Sequence, residues 1–143
     1  MRLTLLCLLL LISCADPNYV SDNLEKNRDQ LEAECALFFQ EEQLCLTTKW
    51  VKFPTESEVG QFTMHFHEKD RPDILINPKL TPHVVLWMPS MGHGSSPVNV
   101  EYVSEGFFNA QDVYFIMPGP WDIRYQLKEG NRVVEEVIQK ITI

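Results

Sequence analysis

The segment Trp121-Asp122-Ile123-Arg124-Tyr125-Gln126-Leu127 constrains the fold more than any other stretch of the chain. Trp, Ile, Tyr and Leu alternate with Asp, Arg and Gln, so an extended backbone puts the four apolar side chains on one face. That is the pattern of a strand half-buried in an antiparallel sheet. Gly119-Pro120 before it and Glu129-Gly130-Asn131 after it are turn sequences. Six more stretches read as short strands stopped by turn residues: 44–53, 60–67, 83–88, 98–103, 112–117 and 133–143. The last also carries charged pairs that suit a helix, but its Val, Ile and Thr content assigns it to a closing strand. Seven such strands, with Trp and Tyr for the core, predict an all-β fold, an immunoglobulin-like antiparallel β-sandwich. Trp87 and Trp121 are expected to pack inside it.

The chain starts differently. Met1-Arg2 precedes an apolar run from Leu3 to Ile12, too short to span a bilayer as a helix and built like a secretory signal. The run ends in Leu11-Ile12-Ser13-Cys14, which resembles the lipobox of bacterial lipoproteins. That resemblance implies cleavage after residue 13, an acylated Cys14 held in a lipid bilayer, and a place in the bacterial envelope facing the periplasm or exterior. Ala15 favours the outer membrane in such proteins. Residues 14–43 are expected to be a tether, partly helical, with Leu24, Leu31 and Leu37-Phe38-Phe39 as its apolar stripe. The sandwich is then assigned to residues 44–143, enough for one core.

Outside the signal and the acylated position, two cysteines remain, Cys35 and Cys45. In an oxidising compartment they most simply pair, and two thiolates alone are too few for a closed metal site. Removing Arg2 with the signal leaves eleven basic against twenty acidic side chains, a net charge of −9. An acidic chain of this kind does not fit nucleic acid, which demands a basic face.

The chemistry concentrates in Trp87-Met88-Pro89-Ser90-Met91-Gly92-His93-Gly94-Ser95. Met88, Met91 and His93, with Met117 as a fourth donor, are the ligand types that suit copper, Cu(I) above all. Thioethers need no deprotonation to bind it, and Pro89 stiffens the loop that would carry them. Against this stands a structural role, with Met88 and Met117 filling the core at strand ends and His93 bonded to backbone. Both readings stay open at this level. His65 and His67, in Met64-His65-Phe66-His67, share one face of a strand and form a second candidate metal pair, to which His83 could add; the alternative is two histidines on the wet side. Gly92-His93-Gly94-Ser95-Ser96 lacks the Gly-x-Ser-x-Gly elbow of a hydrolase, and the chain lacks its alternating strands and helices, so no enzyme is expected.

The string at 87–95, followed by Phe115-Ile116-Met117-Pro118-Gly119-Pro120-Trp121, resembles the YtkA-like family, related to the FixH-like proteins of bacterial envelopes. The similarity covers residues 44–127, and Met-Pro-x-Met-Gly-His-Gly is its most specific part. It implies a small extracytoplasmic immunoglobulin-like domain associated with membrane and metal-handling systems, copper delivery among them. Unlike FixH-like proteins, this chain is expected to be held by lipid rather than by a transmembrane helix. Two functions follow: a copper-binding or copper-handling protein, or an interaction module whose rim loops grip an envelope protein without metal.

Overall fold

The computed structural model describes residues 35–55 and 57–143. The expected signal peptide, Cys14 and most of the expected tether lie outside them. Ten strands follow in chain order: β1 (Leu37–Phe39), β2 (Leu44–Lys52), β3 (Gly60–Glu68), β4 (Arg71–Leu75), β5 (Thr81–Met88), β6 (His93–Gly94), β7 (Asn99–Ser104), β8 (Phe107–Val113), β9 (Pro120–Glu129) and β10 (Arg132–Thr142). The larger sheet has the order β1-β2-β3-β8-β7, with β4 added to the end of β3; the smaller has the order β10-β9-β5-β6. Every strand pairing is antiparallel. The expected all-β sandwich of antiparallel sheets is therefore present, and there is no helix among the described residues.

Alternation decides what the sandwich buries. Trp121, Ile123, Tyr125 and Leu127 of β9 face Phe62, Met64 and Phe66 of β3, with Val84, Leu86 and Met88 of β5 between the same layers. The Phe62 and Tyr125 rings meet edge-on at 6.0 Å, which joins the two sheets at the centre of the core. The Tyr125 hydroxyl donates to Gln139 Oε1 on β10 at 2.7 Å, so this deeply placed polar group is satisfied; burial pushes its pKa upward.

Three expectations need correction. Leu37-Phe38-Phe39 is not a helical stripe of the tether: it is β1, paired with Leu44–Leu46, and its Leu37 and Phe39 are core residues. The sandwich thus begins ahead of the expected boundary at residue 44. Trp87 does not pack inside. Parity along β5 sends Val84, Leu86 and Met88 inward and Trp87 to the outer face, where the Arg124 guanidinium lies over its ring at 5.2 Å. The stretch 112–117 is not a strand, because β8 ends at Val113. Asp112 takes a left-handed conformation (φ 60°) beside a register shift in the β3–β8 pairing, and the chain leaves the sheet there.

Cys35 and Cys45 form a disulfide, with Cα atoms 5.3 Å apart. It fastens the short β1 to β2, and it closes so small a loop that chain entropy assigns it about 3 kcal/mol. The Cys35→Ala/Cys45→Ala double variant is expected to lose about that much in a urea denaturation, with β1 exchanging its amide hydrogens first. A loss below about 1 kcal/mol would mean that β1 is held by packing alone.

Candidate functional site

One end of the sandwich gathers the β2–β3 loop, the β5–β6 hairpin, the segment 114–119 and Ile143. The hairpin is narrow. Met88 and His93 are directly paired across β5 and β6, and the Met91 and Gly92 amides both donate to the Met88 carbonyl, at 3.2 and 3.0 Å. Gly92 takes the positive φ (67°) that the reversal requires. Directly opposed residues of an antiparallel pair project to the same face, so the Met88 thioether and the His93 imidazole lie on one side of the hairpin. The four residues between them, Met91 included, form the tip of the hairpin.

Segment 114–119 is held by the hairpin, by Ile143 and by Trp121. The Ser95 hydroxyl donates to the Tyr114 carbonyl, and the Ser95 amide to the Leu86 carbonyl at 3.1 Å. Gly119 and Ile143 exchange amide–carbonyl bonds of 3.0 Å in both directions. A Cβ at Gly119 would stand 3.0 Å from the Met88 methyl, so the segment passes close over Met88. The Trp121 indole N–H donates to the Met117 carbonyl at 3.0 Å, fixing the backbone that carries Met117.

The four candidate donors differ in exposure. Met88 is 2% exposed and belongs to the core, Met117 packs half-buried against it, His93 is half-buried, and Met91 is 58% exposed at the tip. His93 Nδ1 lies 3.3 Å from the Gly94 carbonyl. A carbonyl only accepts, so Nδ1 carries a proton in that contact, and in a neutral ring the lone pair is then on Nε2, the arrangement common in metal-binding histidines. Among the described residues no three His, Cys, Asp or Glu side chains cluster to hold a metal, so a metal here would depend on methionine sulfur.

No family model, curated protein or solved structure matches the chain.

The second candidate pair does not assemble. His65 and His67 do share the outer face of the larger sheet, as expected, but His67 is not on a wet side: it is 1% exposed. It pairs across the strands with Cys45, beside the disulfide. Its Nδ1 donates to the Glu68 carbonyl at 2.8 Å and its Nε2 bonds to the Thr47 hydroxyl at 2.9 Å, so both ring nitrogens are occupied. His65 instead meets the Phe107 ring edge-on at 4.7 Å. The buried hydrogen-bonded His67 was missed because the sequence does not show what a disulfide will cover.

Two other histidines respond to acid. Burial, then His67 and Lys49, hold His65 below the ordinary value of 6.5. Burial, then Lys128, hold His83 below it too, partly offset by the nearby Gln126 side chain, and its Nδ1 is buried without a partner. A folded pKa below the unfolded one means that the unfolded chain binds more protons. The stabilisation is therefore complete above about pH 6.5 and is lost as pH falls through the folded values. We expect the urea midpoint to drop between about pH 7 and 5, and to drop less in a His65→Gln/His83→Gln variant. An identical pH profile for the two proteins would contradict this.

Proposed function

We propose that this chain is a non-catalytic, lipid-anchored binding protein of the bacterial envelope that holds copper as Cu(I) at the β5–β6 hairpin. The reading keeps the YtkA-like resemblance and the anchor at Cys14. One observation carries it: Met88 and His93 are register partners on one face of a hairpin whose loop contains Met91. Two thioethers and an imidazole thereby fall within six residues, and the segment that carries Met117 passes over Met88 at Gly119. Soft, uncharged sulfur favours Cu(I) and, unlike thiols, is not consumed by disulfide formation in an oxidising space.

The test is a Cu(I) titration of the full chain against a chromogenic chelator. Met91→Ala and His93→Ala are each expected to weaken binding on the order of tenfold or more, since even outer partners of a metal site cost that much. Wild type and both variants binding alike, or none binding, removes copper from the account.

A second reading has its own observation. The same end exposes Phe53, Val59, Met91 and Ile116, and carries an apolar groove of about 610 Å³ lined by Pro54, Tyr114, Phe115, Ile116, Met117 and Ile143. The opposite end has a charged cleft, with Glu68, Lys69, Asp70, Arg71 and Lys79 around it, and exposes Val133 and Val134 at the start of β10. An apolar end on an acidic protein fits a protein-interaction module of the envelope. Photocrosslinkers at Phe53 and Ile116 would then yield one discrete adduct in intact envelopes, and crosslinkers at Lys69 and Lys79 would not.

A further inference from the structure

Of the four methionines among the described residues, three are protected to different degrees and one is not. Met64 is 1% exposed and Met88 2%, Met117 is half-buried, and Met91 is 58% exposed. The tip around Met91 is also open: a Cβ added at the neighbouring Gly92 would meet nothing within 4 Å. Its backbone is nevertheless fixed by the 3.2 Å bond from its amide to the Met88 carbonyl, so the thioether is presented from a defined turn and not from a loose loop. Exposure governs the rate at which a thioether meets an oxidant, whereas a core position both slows the reaction and unfolds the protein when it happens.

We propose that Met91 is a reversible oxidation site, at which hydroperoxide oxidants convert its thioether to the sulfoxide and so switch off the metal-binding hairpin; the switching half of this rests on the copper reading above. In the reaction the peroxide O–O bond breaks and a sulfur–oxygen bond forms at Met91 Sδ. Sulfur gives up two electrons, and the other peroxide oxygen takes the proton of the transferred one and leaves as water from hydrogen peroxide or as an alcohol from an organic hydroperoxide. One of the two sulfur lone pairs now holds oxygen, the sulfur is less electron-rich and so a weaker soft donor, and the side chain presents a hard oxygen, a poor ligand for Cu(I). Because the side chain lies outside the core, the change leaves the packing of Met88 and Trp121 intact, and reduction by a sulfoxide reductase restores the donor.

The experiment exposes the full-length, metal-free protein to hydrogen peroxide and maps each methionine by mass spectrometry with time. Met91 is expected to oxidise about tenfold faster than Met64, Met88 and Met117, with an unchanged thermal midpoint. Met117 or Met88 reacting as fast as Met91 overturns the site. A Cu(I) titration of the singly oxidised protein is expected to be about tenfold weaker than before treatment, matching Met91→Leu, which peroxide leaves unaltered. Equal affinity before and after oxidation overturns the switch. An untreated protein that binds no Cu(I) overturns the copper reading and the switch with it, while the mapping alone still decides whether Met91 is the reactive site.

Discussion

Replacing Gly106 with alanine is expected to destabilise the protein by roughly 3 kcal/mol or more, enough to unfold a large fraction of a domain with ordinary stability. The reason is local and complete. Gly106 closes the β7–β8 turn at φ 62°, in the region where a side chain is already strained. A Cβ there would stand 2.6 Å from the Ile76 amide nitrogen, 2.7 Å from the Phe66 carbonyl and 2.8 Å from the Leu75 Cβ. These are backbone or near-backbone atoms that cannot rotate away. They also carry hydrogen bonds: Phe66 N–H donates to the Gly106 carbonyl at 2.8 Å, Gly106 N–H to Asn77 Oδ1 at 2.7 Å, and Ile76 N–H to the Phe66 carbonyl at 3.0 Å. Relieving the clash means parting the turn from β3 and β4 together. At about 4–8 °C per kcal/mol for a domain of this size, calorimetry would place the midpoint at least about 12 °C lower. A shift of only a few degrees would mean that the turn moves freely against β3. Gly130→Ala is the control: it shares the positive φ, yet its Cβ would meet nothing within 4 Å, so about 1 kcal/mol is expected.

Truncating Trp121 to alanine should cost about 3–5 kcal/mol, the range for a large aromatic removed from a core. Trp121 is among the largest fully buried side chains, and it stacks edge-on against Phe115 at 5.3 Å. It also links stability to the candidate site, because its indole N–H satisfies the Met117 carbonyl. Trp121→Phe separates the two roles. It keeps most of the packing and loses the hydrogen bond, so about 1–2 kcal/mol is expected, together with faster amide exchange in segment 114–119. If Trp121→Phe left that segment unchanged, Ser95 and the Gly119–Ile143 pair would suffice to hold it.

Residues 121–127 and the turns around them were legible because strict alternation has one structural solution. The run at 83–88 was legible as a strand but not as to its facing. All but His83 are apolar, so only pairing with β9 decides that Leu86 and Met88 turn inward and Trp87 outward. β1 has three residues, too few to show a period, and it exists through the disulfide and the pairing with β2. β4 is exposed over its first three residues, contains Pro72, and is defined by two pairings at the end of β3. The departure of the chain at Asp112 is a backbone event that a side-chain pattern does not announce. At the candidate site, the sequence placed Met88, Met91 and His93 in one turn. It could not tell that Met88 would be sealed in the core while Met91 faces water.

The copper account turns on sulfur and nitrogen meeting the metal together, and X-ray absorption at the copper edge reads this directly in the Cu(I)-loaded full chain. A mixed shell is expected, containing thioether sulfur and imidazole nitrogen. Its sulfur component should weaken in Met91→Leu and in Met88→Leu, and its nitrogen component in His93→Ala. A shell of nitrogen and oxygen alone, unchanged in all three variants, would show that any copper on this protein sits elsewhere and that the hairpin is not its site.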